Sequence, residues 1–399
     1  MNSYPAVSSS KLKASQKGSL PPWRIALVAN LKEKTRHNSE DPPDAGAEFD
    51  HMATIEAIGG ALEADGHWVH FVQAGPDLPQ AINNIRPHIV FNIAEGVGGD
   101  GREAHVPALC ELLQIPYTAS RVVSNAISLD KTQTKHIWHD LGLPTAAFRE
   151  FSYVEQVSDE GLTYPLFVKP VREGTGMGIN QGAIVHTYDE LLERVGWVTK
   201  VYHQPALVEE FLPGREFTVG FIGNQGNPAN RRRPELYAHD GYHFFPILEI
   251  DSDHSVTPGI YGVAAKSLNI SERGAPGYLC PAHIPDDLRE EMISLTKQAA
   301  QALHVSDVAR VDFRLGTDGR PYLMEINTLP GLNPLVSDLC IMAASEGIAY
   351  QVLITEILYL AAERYQLPFS PASATWINNT LAEVENTRLQ KKIRVAVRN

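Results

Sequence analysis

The hydrophobic pattern near the start of the chain predicts a parallel β-sheet. Short apolar runs at 24–29, 67–72 and 88–93 alternate with stretches of helical periodicity near 50–65 and 78–86. Parallel strands need long crossover connections, and helices usually provide them. We therefore expect βαβ units that together form a Rossmann-like sheet.

A second pattern, at 310–327, predicts an antiparallel hairpin. Two runs of alternating apolar and polar residues flank a turn at Asp318 and Gly319. Such a turn supplies the positive φ that a tight hairpin needs. The period of two places Glu325 on one face of the second strand and Met324 on the other.

The polar face of this hairpin indicates a magnesium site. It gathers Asp312 from the first strand with Glu325 and Asn327 from the second. Mg²⁺ prefers hard oxygen ligands and takes water or phosphate oxygens as its remaining ligands. An acidic hairpin face that is merely solvated would show the same pattern.

Length, composition and charge exclude several classes of protein. The 399 residues, 43% of them hydrophobic, are enough for a sizeable core and predict two or three lobes. The net charge of −13 argues against a nucleic-acid binder, which would need a basic surface. The three cysteines are far apart, which favours reduced thiols over disulfides or a zinc site. No run approaches the ~18 apolar residues of a membrane span, so we expect a cytoplasmic protein without a membrane partner.

Two glycine-rich segments are candidate anion-binding loops. Gly96, Gly98 and Gly101 match G-x-G-x-x-G, but the acid expected about 20 residues further on is missing, so a dinucleotide site is disfavoured. Residues 172–178 follow Lys169, and their glycines allow backbone amides to converge on phosphate oxygens. A tight hairpin turn would explain this second segment equally well.

The polar segment at 224–243 contains two patterns that favour ordinary explanations. Its three consecutive arginines, at 231–233, usually mark a solvated loop, although they could attract an anionic substrate. His239 and His243 are four residues apart, but one pair without further ligands favours surface histidines over a zinc site.

In their order along the chain, these motifs resemble the ATP-grasp superfamily, and specifically D-alanine–D-alanine ligase and its relatives. The resemblance rests first on Arg-x-Asp at 310–312 and Glu-x-Asn-x-x-Pro-Gly at 325–331, and it covers about residues 23–365. It implies a three-lobed α/β ATP-grasp fold. A Rossmann-like parallel sheet would be followed by two α+β lobes that sandwich the nucleotide.

The resemblance also suggests how the chain is divided. The expected segments are a disordered tail at 1–20, a Rossmann-like substrate domain at 21–125, a central ATP-grasp subdomain with the glycine-rich loop at 126–223, a carboxy-terminal ATP-grasp subdomain with a lid (257–281) and the magnesium site at 224–368, and an extension at 369–399.

Roles for individual residues follow from their positions within the resemblance. ATP would be bound by Lys131, Lys169, Gly174, Thr175, Gly176, Gly178, Glu209, Phe211, Leu212, Glu216 and Lys266. Two Mg²⁺ ions, with Mn²⁺ as a substitute, would be held by Asp312, Glu325 and Asn327. Catalysis would depend on Arg310, Lys266 and Gly331.

The implied reaction joins a carboxylate to an amine through an acyl phosphate and releases ADP and phosphate. The expected partners are small molecules, amino acids above all, and a second copy of the chain in a homodimer. Candidate substrate residues are Glu48, Glu95, Asn333 and Ser337. Glu95 and Ser267 stand where the D-alanyl enzymes have His and Tyr, so we expect an altered substrate pocket. A true D-alanine–D-alanine ligase, or a nucleotide-binding regulatory or phosphotransfer protein on the same fold, is the alternative.

Overall fold

The computed structural model describes residues 22–34, 41–251, 255, 262–266 and 274–368. The predicted tail at 1–20, most of the predicted lid and the extension at 369–399 lie outside the described residues.

The first sheet is parallel, as predicted. Its strands are β1 (Arg24–Ala29), β2 (Trp68–Gln73) and β3 (Ile89–Ile93), in the order β2-β1-β3. The helices that follow or connect them are α1 (Met52–Ala64), α2 (Leu78–Ile85), α3 (His105–Leu112) and α4 (Val122–Leu129). β1 and β3 are almost wholly buried because apolar elements cover both faces of the sheet.

The second sheet is antiparallel and carries the glycine-rich loop. Its strands are β4 (Phe148–Phe151), β5 (Leu166–Pro170), β6 (Ile184–Val185) and β7 (Ala206–Glu210), in the order β4-β7-β5-β6. The accompanying helices are α5 (Lys131–Asp140) and α6 (Tyr188–Tyr202). Asp130 caps α5 by accepting a hydrogen bond from the Gln133 amide, which fixes where this helix begins.

The third sheet contains the predicted hairpin. Its strands are β8 (Glu216–Gly223), β9 (Tyr242–Phe244), β10 (Leu248–Asp251), β11 (Gly277–Leu279), β12 (Val308–Leu315) and β13 (Pro321–Asn327). The order is β11-β10-β8-β12-β13, and β9 also pairs with β8. The remaining helices are α7 (Val263–Lys266), α8 (Asp286–Ala302), α9 (Asp338–Glu346) and α10 (Tyr350–Arg364). α8 packs behind β12 and β13, so the hairpin rests on a buried apolar layer.

The amphipathic pattern at 337–364 predicts one helix, but the chain forms two, α9 and α10, which meet at an angle of 111°. Gly347 lies between them with a φ of +90°, a conformation that glycine adopts readily and that ends α9. Among the described residues, no single helix is long and apolar enough to cross a membrane.

The three arginines at 231–233 are not a solvated loop, which corrects the sequence-based interpretation. Arg232 donates hydrogen bonds of 2.7 Å from two nitrogens to the carboxylate of Asp65, and both side chains are buried. Arg233 lies 3.4 Å from Glu356 of α10. These arginines therefore connect the segment before β9 to the end of α1 and to α10.

Candidate active site

The hairpin of β12 and β13 brings the predicted metal ligands together. Asp312 lies directly across from Glu325, and Arg310 lies across from Asn327. The register then shifts by one residue, so Met324 is the extra residue of a β-bulge. The alternation of residues predicts that Met324 and Glu325 face opposite sides of β13. This prediction is wrong, because both residues line the same cavity at the bulge.

The donor set on the hairpin fits Mg²⁺. Two carboxylates directly opposite each other on neighbouring strands repel unless a cation lies nearby. Asp312 accepts a hydrogen bond of 3.2 Å from the Asn327 amide and lies 3.4 Å from Arg310, while Glu325 lies 3.5 Å from the Lys131 ammonium. No group of three His, Cys, Asp or Glu side chains in the described part of the chain could hold a metal ion by itself. Bound phosphate or water would therefore have to complete the ligand shell, as is usual for Mg²⁺.

Lys131, Lys169 and Lys266 were predicted to bind ATP, and a further lysine, which the sequence analysis missed, lies beside the second of them. Lys169, at the end of β5, lies 2.7 Å from one oxygen of Glu209, and Lys135 of α5 lies 2.8 Å from the other. Lys135 is 1% exposed and also donates to the Thr145 hydroxyl. Its spacing of four residues from Lys131 on one helix was the available signal.

Glu209 is ionised in this arrangement. Burial alone would raise its pKa, but the two ammonium groups outweigh burial and lower the pKa to about 2. The carboxylate predicted to bind ATP is thus held between Lys135 and Lys169. Its contact with ATP stays a prediction.

We expect Glu209→Gln to lower the free energy of unfolding by about 3–5 kcal/mol at pH 7, because two buried ammonium groups lose the carboxylate that both contact. The midpoint of urea unfolding measures this effect. Glu210→Gln, at the half-buried neighbouring position, is the control and should change the midpoint little. Because the folded pKa lies below the ordinary value, Glu209 stabilises the wild type above pH 4.5 and loses this effect as the pH falls toward 2. Equal midpoints for the two variants would contradict the buried lysine–glutamate arrangement.

The glycine-rich loop is too long for the alternative of a tight hairpin turn, which is therefore wrong. β5 and β6 pair with each other, but residues 171–183 separate them. Thr175 has a φ of +52°, which is unfavourable for a β-branched residue and is held by the surrounding loop. The Gly178 amide donates a 2.8 Å hydrogen bond to Asp44, which also accepts one from Tyr202.

A first cavity lies between this loop and the hairpin. Predicted ATP and metal residues on its wall are Lys131, Lys169, Gly176, Glu216, Asp312 and Glu325. Arg314 and Phe167 also line it and were not predicted. The Phe211 amide donates to the Pro165 carbonyl at 3.0 Å, and contact of the Phe211 backbone with ATP stays a prediction.

A second cavity lies on the other side of the hairpin's end. Predicted residues on its wall are Glu48, Glu95, Gly174, Thr175, Arg310, Asn327 and Gly331. The two cavities share a wall formed by Lys131, Glu173 and Glu325. A ligand in the first cavity would therefore lie beside a ligand in the second.

The wall opposite the hairpin is acidic. Asp50 and Glu103, which were not predicted, join Glu48 and Glu95 there. Burial raises the pKa of Asp50 and of Glu103 to about 7, and it raises the pKa of Glu95 well above its ordinary value. This end of the cavity therefore suits an ammonium group better than a carboxylate.

Two predicted substrate residues, Asn333 and Ser337, line neither cavity. The Ser337 hydroxyl accepts a 2.9 Å hydrogen bond from the Asn333 amide, and the Asn333 side chain donates to Thr54. A Cβ atom at Gly331 would lie 2.8 Å from the Ser337 oxygen, so glycine is required for this close approach. The two residues support the turn at Gly331, and substrate contact by either stays a prediction.

The predicted catalytic residues are described to different extents. Arg310 pairs with Asp338, the first residue of α9, as well as with Asp312. Lys266 is the last residue of α7, and its side chain and all of Ser267 lie outside the described residues.

Comparison with known proteins identifies the family. The family described as D-ala D-ala ligase C-terminus matches residues 137–359. A D-alanine–D-alanine ligase of Halorhodospira halophila is 31% identical over 314 residues, which cover 78% of this chain and 92% of that protein. The chain belongs to the D-alanine–D-alanine ligase family. This result confirms the resemblance that the sequence motifs indicated. As a member of this family, the chain is an ATP-dependent ligase of the class that forms C–N bonds.

Two further similarities bear on the family and on the fold. A Sinorhizobium fredii protein named Uncharacterized protein y4sG is 30% identical over 352 residues, which are 86% of this chain and 98% of that protein. The crystal structure of D-alanine–D-alanine ligase from Bacillus anthracis in complex with ATP superposes with a TM-score of 0.63 at 21% identity. The superposition covers 86% of this chain and 99% of the Bacillus chain. This structural similarity confirms the predicted ATP-grasp fold.

Proposed function

We propose that the protein joins the carboxylate of one amino-acid substrate to the amine of a second substrate through an acyl phosphate. The observation that supports this most directly is the wall that the two cavities share at Lys131, Glu173 and Glu325. ATP in the first cavity would place its terminal phosphate beside a carboxylate in the second.

The proposed reaction has two steps. A carboxylate oxygen attacks the γ-phosphorus, the bond from that phosphorus to the β–γ bridging oxygen breaks, and ADP leaves. The amine nitrogen then attacks the acyl carbon, the bond from this carbon to the phosphate oxygen breaks, and phosphate leaves. The nitrogen loses a proton, so the products are an amide, ADP and phosphate.

The residues of the first cavity counter the repulsion between a carboxylate and a triphosphate. Lys131 and Lys169 provide fixed positive charge at sites from which water is largely excluded. When bound, Mg²⁺ would neutralise phosphate charge, and Asp312, Glu325 and Asn327 would hold it. It stays a prediction that two metal ions bind, that Mn²⁺ can replace Mg²⁺, and that the chain forms a homodimer.

Arg310 is suited to the second step. It lines the second cavity, and Asp312 and Asp338 orient its guanidinium group. We propose that it donates to the oxyanion that forms when the amine attacks, next to the backbone at Gly331. A rigidly held donor of this kind costs little reorganisation at the moment of reaction.

We propose an amino-acid substrate pocket that differs from that of the D-alanyl enzymes. The substrate carboxylate must lie at the hairpin, so its amino group would point toward the acidic wall, where Glu48 is already bound by Arg102. The alternative is D-alanine–D-alanine ligase activity itself. This alternative is favoured by relatives that are named D-alanine–D-alanine ligase. Their sequence identity to this chain, 30–31%, is about the same as that of the uncharacterized Sinorhizobium protein.

The test is amino-acid-dependent release of phosphate from ATP in the presence of Mg²⁺, with mass spectrometry of the products. We expect release that requires an amino acid and that yields an amide product. D-alanyl-D-alanine as the main product would favour the alternative. Release of phosphate without any amide product would contradict the ligase proposal and indicate phosphotransfer or hydrolysis.

A further inference from the structure

Arg102 is a buried cation that the proposed reaction does not use. It lies three residues before the start of α3, is 7% exposed, and contacts two carboxylates. Its guanidinium donates three hydrogen bonds of 3.1–3.2 Å to Glu48 and one of 3.1 Å to Glu173. A further nitrogen donates to the Arg172 carbonyl at 2.7 Å.

The two carboxylates that share Arg102 come from different parts of the fold. Glu48 belongs to the segment between β1 and α1, beside the first sheet, whereas Glu173 begins the glycine-rich loop of the second sheet. Arg102 therefore ties the glycine-rich loop to the first sheet. Both carboxylates also line the second cavity.

Glu173 extends this connection to the nucleotide side. Its carboxylate accepts a 2.6 Å hydrogen bond from Gln204, and its carbonyl accepts one of 2.6 Å from the Lys131 ammonium. Lys131 in turn lies 3.5 Å from Glu325 on the hairpin. The position of Glu173 thus affects a lysine that faces both cavities.

The shared guanidinium makes the loop sensitive to the charge on Glu48. If the loop moves away, Arg102 loses Glu173 but keeps Glu48, so the buried cation remains paired and opening is inexpensive. If the charge of Glu48 is neutralised, opening leaves the buried guanidinium without a charged carboxylate in hydrogen-bond contact, which is unfavourable. Neutralising Glu48 should therefore favour the closed loop.

We propose that Arg102 is a positioning residue through which the charge on Glu48 controls closure of the glycine-rich loop over the nucleotide. An ammonium group bound at Glu48 then has the same effect as neutralisation, so substrate binding strengthens nucleotide binding. This inference rests on the proposed function, because it assumes that the first cavity binds ATP.

The test combines four substitutions, two of them as backgrounds, and measures binding of the ATP analogue AMP-PNP by calorimetric titration with excess Mg²⁺ and no amino acid present. We expect Glu48→Gln to bind the analogue at least about threefold more tightly than the wild type, since coupling between neighbouring charges is typically of this size or larger. We expect Glu173→Gln to bind it more weakly by a similar factor. Each change removes the charge of one carboxylate that pairs with Arg102. If Arg102 had a purely structural role, both changes would shift the affinity for the analogue in the same direction.

Two backgrounds complete the test. In Arg102→Lys, which lacks the fork that reaches both carboxylates, Glu48→Gln should no longer tighten binding. In Arg172→Lys, a matched change of a loop arginine that pairs with Asp130 and Asp100, the tightening should persist.

Hydrogen exchange of the amides at 174–179 provides a second readout in every variant that folds, and we expect slower exchange in Glu48→Gln than in the wild type. Weaker or unchanged binding in Glu48→Gln, or tightening that persists in Arg102→Lys, would overturn the inference while leaving the ligase proposal intact. Absence of analogue binding by the wild type would instead overturn the proposed function and this inference with it.

Discussion

Replacement of Glu325 by Gln is expected to reduce amino-acid-dependent phosphate release by at least about 100-fold, the usual scale for loss of a group that holds a metal. Glu325 lies across from Asp312 on the hairpin and lines both cavities. Its loss would remove one carboxylate of the donor set and the partner of Lys131. Initial rates at saturating ATP and Mg²⁺ measure the effect.

The matched control for this change is Glu290→Gln on the exposed face of α8, which should release phosphate at the wild-type rate. Circular dichroism and the unfolding midpoint should show that both variants fold. Rates for Glu325→Gln within a factor of about two of the control would contradict the assignment of the hairpin to metal and phosphate binding.

Lys169→Ala should remove ATP turnover to a similar degree while the protein stays folded. Lys169 is the last residue but one of β5, at the base of the glycine-rich loop, and is 2% exposed on the wall of the first cavity. Removal of this ammonium group would leave the phosphates of bound ATP without one nearby fixed cation. Loss of one preorganised electrostatic donor typically lowers the rate by ~10²–10³-fold. Glu209 keeps its second partner, Lys135, so the buried carboxylate is not left unpaired.

A comparison of unfolding midpoints checks this explanation. Lys169→Ala should be less destabilised than Glu209→Gln, because the former retains one ion pair and the latter leaves two ammonium groups without their carboxylate. The same turnover in Lys169→Ala as in the wild type would show that phosphate is bound elsewhere.

The main strands and the metal hairpin could be predicted because their signals are local. Apolar runs separated by helical periodicity indicated β1, β2 and β3, and alternation around an Asp-Gly turn indicated β12 and β13. The break between α9 and α10 also had a local signal, Gly347, which a helix seldom contains in its interior.

The parts of the site that could not be predicted depend on contacts between distant segments. Lys135 becomes important only because β7 brings Glu209 against α5. Arg102 becomes important only because the glycine-rich loop reaches the segment that carries Glu48. Met324 enters the first cavity only through a bulge in the β12–β13 pairing, which the alternation of residues cannot reveal.

The burial of the arginines at 231–233 has the same origin. A run of three cations normally indicates solvent exposure, but Asp65 and Glu356 lie on elements that pack against this segment and provide buried partners. Pairing with acids far away in sequence decides the environment of each arginine.

Calorimetric titration of the wild-type protein with AMP-PNP, in Mg²⁺ and separately in EDTA, tests the central claim most directly. The account predicts one bound nucleotide per chain with Mg²⁺ and at least about tenfold weaker binding in EDTA, since carboxylates on the hairpin and the triphosphate would then repel each other. No nucleotide uptake, or equal affinity in the two buffers, would contradict it.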